Sequence, residues 1–383
     1  MNIDNASNVV KSCIASSDLI PILKNIYIGS GRMVSFNGMQ GVSVTVDTGD
    51  INCVVNGDAF VKIVNSIPTN KLVLSMLKKQ ELNIASSRTK KGGGEAKPKT
   101  RVTLVSTAVK LYKPYLFDDL TGEPLFTFKL TDDVIEGLAS TSIALNEGSP
   151  NIALSGVMLD INGTSLKLYA TDAIRMARYV CEDASVKKLG TASRIQVLLP
   201  KQFCSLVASL STHLIDKTVA IGQSSVYIKT SEVNVFTKTP QSVEFPDYEK
   251  VIKRFDPGDS YCPMSPRFLD AINRCLVILS SNTDGLVDVS FKGNKMKIEA
   301  SSAIGEVEEF VSLKNEISIT PLQFKAELLK QTVSTTEELA FVTDEDAKAR
   351  AYVGRKDRLL RILASTMKNS TSNSAGESTS DEE

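Results

Sequence analysis

The chain repeats itself: a short amphipathic helix followed by alternating strands recurs six times, in three roughly equal thirds of the 383 residues. The strand pairs show it best. Gly156 to Thr171 (GVMLDINGTSLKLYAT) lies directly on Gly285 to Ser301 (GLVDVSFKGNKMKIEAS), each alternating apolar and polar residues around Asn162-Gly163 or Gly293-Asn294, which is hairpin chemistry. Met33 to Val46 is a weaker copy. One helix series carries a phenylalanine near its start: Asp58 to Ile67, Lys201 to Leu210 and Leu322 to Gln331. In the first, Phe60, Ile63, Val64 and Ile67 share a face; in the second, Phe203, Leu206, Val207 and Leu210 do. A second series opens each third at Val9 to Ile14, Val134 to Ala139 and Phe268 to Leu276. Amphipathic helices and hairpins occur in any α+β protein, but the same order three times over requires an internal repeat. The expectation is an α+β fold of three similar domains, each of two αβ units, over residues 1–122, 123–252 and 253–365. Such periodicity suggests closure into a ring.

Composition places the chain among globular proteins. At 42% hydrophobic residues it can bury several cores, and no apolar run approaches a membrane span. The polar start MNIDNASNVVKS lacks the order of a signal peptide, so a cytoplasmic location is expected. Cys13, Cys53, Cys181, Cys204, Cys262 and Cys275 are scattered without metal-ligand or disulfide spacing, which points to buried free thiols. Two segments break the pattern. Residues 88–101 (RTKKGGGEAKPKTR) hold six basic residues and one acid, and read as a loop between two strands. A solvated hairpin extension is the favoured reading, with phosphate contact as the alternative. Residues 366–383 are polar and acidic at their tip, and are expected to form a disordered tail.

Formal charge is zero, with 44 basic and 44 acidic residues, which argues against a protein that coats nucleic acid through a uniformly basic surface. Distribution matters more. Lys11, Lys62, Lys201, Arg267, Arg274, Lys325 and Lys330 sit on or beside the expected helices, whereas acids gather in loops and outer strands such as Gly305 to Phe310 and Thr343 to Lys348. The segment Thr131 to Thr141, with Asp132, Asp133 and Glu136, is the exception. Catalysis finds little support. The single histidine, His213, is expected in a loop without triad partners, and Gly92 to Gly94 lack the Lys-Ser/Thr ending of a phosphate loop. Asp172 and Asp247 have no evident third ligand for a shared metal. Neither an enzyme nor a cofactor is expected.

Two motifs carry a family resemblance. Ala170 to Ala177 reads ATDAIRMA after a hairpin, and Phe245 to Val251 reads FPDYEKV; Leu19 to Ile28 (LIPILKNIYI) leads into the first hairpin. These segments resemble the bacterial DNA polymerase III beta subunit, the sliding clamp family, whose motifs read ATDGHRLA and FPDYRRV in the same order and separation. The resemblance covers about residues 1 to 355. It implies a head-to-tail homodimer with helices lining a ring and antiparallel sheets outside. Twelve helices at a packing distance of about 10 Å would trace a circle about 38 Å across, leaving roughly 28 Å clear, enough for duplex DNA. Grip by linkage needs only weak, screened attraction to phosphates, for which the seven helix cations are the DNA-facing candidates. The implied partners are encircled duplex DNA, a replicative polymerase and a clamp loader, at the replisome and away from membranes. A clamp-fold scaffold that never encircles DNA is the alternative.

By motif position, the family's partner-peptide pocket would comprise Leu154, Thr171, Ala173, Ile174, Arg175, Met176, Pro246, Lys250, Val251, Val353 and Gly354. The chain departs from the pattern at several of these. Ala173-Ile174 replaces Gly-His, Lys250 stands where arginine is common, and Tyr352 to Leu359 (YVGRKDRL) is set against a family ending YVVMPMRL. A partner preference different from that of typical bacterial clamps follows. The apolar segment Leu359 to Ser365 then reads as a C-terminal helix on the last domain, or alternatively as a cover for the pocket.

Overall fold

The computed structural model describes residues 1–17, 19–67, 72–77, 80–86, 100–116, 122–240, 242–279, 285–344 and 349–366. Most of the basic segment 88–101, all but Thr366 of the expected tail, and the acids of 345–348 lie outside them. The chain forms two compact units: Met1–Ala170 with Tyr179–Phe245, and Thr171–Arg178 with Pro246–Glu383.

The first unit opens with α1 (Ile3–Lys11), β1 (Asn25–Gly29), β2 (Arg32–Phe36), β3 (Gln40–Thr45), β4 (Asn52–Asn56) and α2 (Gly57–Ser66). It continues with β5 (Leu72–Leu77), β6 (Glu81–Ser86), β7 (Arg101–Val105) and the single turn α3 (Val109–Tyr112). Next come β8 (Phe126–Lys129), α4 (Asp132–Ser142), β9 (Gly156–Asn162), β10 (Ser165–Thr171), β11 (Arg175–Cys181, whose first four residues are counted with the second unit), β12 (Lys187–Lys188) and β13 (Arg194–Pro200). The unit ends with α5 (Lys201–Ser209), α6 (Ser211–Leu214), β14 (Thr218–Ile221), β15 (Ser225–Ile228) and β16 (Val233–Lys238). A nine-stranded sheet runs β12-β8-β14-β15-β16-β3-β2-β1-β4. Its middle joint is the antiparallel pair β16 and β3, in register Val233 to Val44 and Thr237 to Gln40. A separate sheet orders β5-β6-β7, and β13, β9 and β10 lie side by side in that order.

Helices pair as the repeat requires, α1 with α2 and α4 with α5. Their buried faces follow the helical period: Phe60, Val61 and Val64 on α2, and Phe203, Leu206 and Val207 on α5. The first helix begins well before the expected Val9 because Asn2 caps it, its side chain accepting from Asn5 N at 2.9 Å. Of the polar residues before Val9, Asn2 is the cap, while Ser7 is buried with its hydroxyl donating to Asp4 O at 2.8 Å. The single histidine lies on α6, not in a loop, with Nδ1 3.1 Å from Glu232 Oε2.

The second unit contains α7 (Tyr248–Arg254), β17 (Cys262–Pro263), α8 (Pro266–Leu279), β18 (Leu286–Lys292), β19 (Lys295–Ser302) and β20 (Gly305–Ser312). It closes with β21 (Leu322–Lys325), α9 (Ala326–Val333), β22 (Glu338–Thr343), β23 (Arg350–Lys356) and β24 (Leu359–Ala364). One sheet orders β20-β19-β18-β21 and another β24-β23-β22-β17. Phe268, Ile272 and Cys275 of α8 and Leu329 and Val333 of α9 close over Val287, Ile298, Phe324, Tyr352 and Leu363 of the strands. Two expectations need correction here. Leu322 to Gln331 is not one helix: Leu322 and Phe324 alternate with Gln323 and Lys325 as β21 against β18, and α9 starts only at Ala326. The segment Leu359 to Ser365 forms the strand Leu359–Ala364 and not a helix, because five consecutive buried residues pair with β23 across both faces.

All six cysteines are buried free thiols, and burial pushes those of Cys13, Cys53 and Cys204 up to about 12. Among the described residues, no helix is long and apolar enough to cross a membrane.

Candidate functional site

The ATDAIRMA motif folds into a self-supporting turn at the edge of the second unit. Asp172 Oδ1 accepts from Ile174 N at 2.9 Å and Arg175 N at 2.6 Å, while Thr171 Oγ1 donates to Arg175 O at 2.5 Å and accepts from Ala173 N at 3.1 Å. Short polar side chains that bind the backbone two and three residues on are what make such a turn rigid. Ala173 occupies the left-handed region at φ +74°, where glycine is preferred. The result is that Ala173 and Ile174 stand exposed on a fixed loop while Thr171, Arg175 and Met176 are buried.

Beneath the turn lies a pair of buried guanidinium groups. Arg175 Nε donates to Asp172 Oδ2 at 2.8 Å and its Nη1 to Gln331 Oε1 at 2.6 Å. Arg361, in the middle of β24 and only 3% exposed, donates from Nη1 to Gln331 O at 2.9 Å. Burial first, and the neighbouring Arg175 second, lower the Arg361 pKa to about 10, so it remains a cation at neutral pH. Ala364 N donates to Ile174 O at 2.9 Å, tying the end of β24 to the turn. Both guanidinium groups converge on Gln331, which itself donates to Glu327 Oε1 at 3.1 Å, next to an exposed isoleucine. Such a surface suits an apolar side chain flanked by carbonyl or carboxylate oxygens.

The FPDYEKV motif initiates α7. Asp247 is the N-cap, accepting from Lys250 N at 3.0 Å, and Tyr248 is buried. Pro246 precedes the cap, Val251 is half-buried and Lys250 exposed. At the other end of the helix Arg254 reaches Asp344 with Nε at 3.0 Å and Nη2 at 2.5 Å. Asp172 and Asp247 are thus each engaged in local backbone structure. Leu154, in the first unit, ends a short 3₁₀ turn capped by Asn151 and is half-buried.

Val353 and Gly354 are on β23, opposite Ile362 and Arg361, and the strand bonded to Ile174 is its neighbour β24. Arg361, a lone arginine inside the apolar strand LLRILA, is the residue of β24 that reaches Gln331 beside Arg175. Gly354 serves packing: a Cβ there would stand 2.6 Å from the Tyr352 hydroxyl and 2.8 Å from Thr336. Gly354→Ala is expected to cost about 1–3 kcal/mol in a denaturant melt. A folded variant of unchanged stability would show that this strand crossing has slack.

The helix cations divide by their neighbours. Lys11 and Lys62 are exposed and line one shallow groove with Asp58 and Asn65 on α1 and α2. Lys201 is held by Glu147 at 2.6 Å, and Arg274 by Glu309. Arg267 is exposed at the start of α8, Lys330 is half-buried on α9, and Lys325 is the residue capping α9. Ion-paired cations contribute less net field to a passing phosphate, so Lys11, Lys62 and Arg267 are the stronger candidates.

No protein-family model matches the chain. Comparison with known proteins is otherwise consistent along its length. The beta sliding clamp of Pseudomonas aeruginosa is 24% identical over 368 residues, covering 91% of this chain and 92% of that protein. The crystal structure of the DNA polymerase III subunit beta from Pseudomonas aeruginosa superposes with a TM-score of 0.76 at 19% identity, covering 96% of this chain and 98% of that one. This chain is similar to the beta sliding clamps over most of its length and has their fold. The Pseudomonas aeruginosa clamp bound to griselimycin matches with a TM-score of 0.75 at 18% identity, over 96% of this chain and 97% of that one. At this distance the clamp fold is kept, while Ala173-Ile174 stands where the resembled motif has Gly-His.

Proposed function

We propose that this chain is a DNA sliding clamp: two copies join head to tail in a ring around duplex DNA and tether a replicative polymerase and other partners by short peptides. The observation that carries this reading is the match to clamp structures over 96% of the chain. Each copy supplies three domains, over 1–122, 123–252 and 253–365. Their paired helices face DNA with Lys11, Lys62 and Arg267 as weak, sequence-independent contacts. The peptide site is built on the Thr171–Met176 turn, Arg361 and α7. The protein acts by linkage and recruitment, with no reaction of its own, in the cytoplasm at the replisome.

Two open sheet edges support the dimer. Among the described residues, β7 has β6 as its only sheet neighbour and β20 has only β19. Val105 on β7 is 78% exposed, and Phe310 on β20 is 55% exposed. Unprotected apolar edges are uncommon unless another strand covers them. Their charges are complementary: Arg101 on β7 follows the basic segment, while β20 carries Glu306, Glu308 and Glu309. β7 of one copy pairs with β20 of the other.

A retention assay tests the reading. Loaded by its clamp loader, the protein should stay on a nicked circle through a size-exclusion column and be lost once a restriction enzyme linearises it. Equal retention on circle and linear DNA would mean that it binds, or scaffolds, without encircling.

A further inference from the structure

The peptide site assigned above draws on three separate stretches of the second unit: the Thr171–Met176 turn, β24 and α7. The first two are tied directly, Ala364 N donating to Ile174 O at 2.9 Å. Helix α7 needs a tie of its own. Tyr248 at its start and Phe255 just past its end are both buried, and helical spacing puts them on one stripe with Val251 and Ile252, which are half-buried, between them. Apolar burial is non-directional, so it holds such a helix in place without fixing its rotation. A small turn about the axis would carry Val251 into or out of a partner's reach.

A directional contact removes that freedom. Arg254, in the last turn of α7, donates to Asp344 Oδ2 from Nε at 3.0 Å and from Nη2 at 2.5 Å, and its guanidinium lies 5.4 Å from the centroid of the Phe255 ring. Asp344 is 5% exposed and is itself anchored just after β22: its Oδ1 accepts from Ala349 N at 2.8 Å, and its own N donates to Ala349 O at 2.9 Å. Strand β22 pairs with β23, and β23 with β24. Two charged hydrogen bonds from one planar group fix orientation as well as distance. The pair therefore registers α7 against the sheet that carries Arg361 and Ala364.

We propose that Arg254 and Asp344 are positioning residues for partner recognition: they set the rotation of α7 so that Val251 is presented together with Ile174 and Arg361. This role rests on the peptide site of the proposed function and adds a rule to it. Contacts made by α7 count toward affinity only while the Arg254–Asp344 pair is intact.

The test is a double-mutant cycle on the full chain, read by NMR titration of isotope-labelled Ile and Val methyls with N-acetyl-leucyl-leucine, an apolar pair ending in a free carboxylate. Val251→Ala should weaken binding about tenfold, the scale of one truncated aliphatic contact. Arg254→Ala should weaken it by a similar factor. The two together should cost little more than either alone, whereas independent effects would multiply to about a hundredfold. A loss of stability without positioning would leave the Val251→Ala factor the same in both backgrounds. Arg254→Lys keeps the charge but gives up the two-donor fork, so in that background the factor should be intermediate, and this variant decides the matter if Arg254→Ala does not fold. A Val251→Ala factor unchanged by the Arg254 variants, or a probe that shifts Ile174 and not Val251, overturns the proposal. Absence of saturable shifts at both methyl groups of the unaltered chain up to about 10 mM probe instead removes the peptide site beneath it.

Discussion

A chain carrying Arg101→Glu and Val105→Glu should be a folded monomer of 41.5 kDa at concentrations where the unaltered protein is a dimer of twice that mass. Both positions are exposed on β7, so neither change touches the core, and the melting curve should move by no more than about 0.5 kcal/mol in equivalent stability. The interface, by contrast, would receive two carboxylates beside Glu306, Glu308 and Glu309 of β20. Like charges brought together in a desolvated strand pair cost several kcal/mol, so the dimer dissociation constant should rise by about a thousandfold or more. Sedimentation equilibrium across a dilution series reads this directly. The same variant should lose retention on circular DNA, because an open ring has no linkage. A variant that remains dimeric at nanomolar concentration would place the interface on other strands. Phe310→Arg, on the partner edge, should then also be silent.

The parts of this fold legible in the sequence are those in which one periodicity acts alone. The hairpins at Gly163 and Gly293 appear where expected, with φ near +60° at each glycine, because the turn chemistry is local. The phenylalanine helices at Gly57–Ser66 and Lys201–Ser209 follow an uninterrupted helical period. The third copy fails because Leu322 and Phe324 satisfy both a strand period of two and the start of a helical one, and only their pairing with Val289 and Val287 decides between them. The C-terminal hairpin was hidden for a related reason. Leu359–Ala364 is buried on both faces and so shows no alternation, which left its strand character and its central arginine unread.

That arginine makes the second large prediction, and its two measurements should separate. Arg361→Met removes a buried cation facing another, Arg175, and replaces it with an apolar side chain of similar length. Exchanging a buried charge for a well-packed apolar group is often neutral or stabilising, so stability should change by less than about 1 kcal/mol or rise. Arg175→Ala acts the other way. It strips the guanidinium from Asp172, which is 10% exposed at its side chain, leaving the carboxylate only its backbone donors at Ile174 and Arg175. Breaking a buried pair from one side costs roughly 3–5 kcal/mol, and the retained amide donors bring this case to about 2–3 kcal/mol. For partner binding the two variants should agree. Each deletes a charged donor at the corner beside Ile174, worth about 1.5–3 kcal/mol to an acceptor oxygen, so the affinity for the clamp-contacting peptide of its polymerase should fall about 10- to 100-fold in both. Fluorescence anisotropy with that peptide, alongside denaturant melts, gives both quantities. If Arg361→Met keeps full peptide affinity, the arginine pair is a structural feature of β24 and the peptide reads the turn alone.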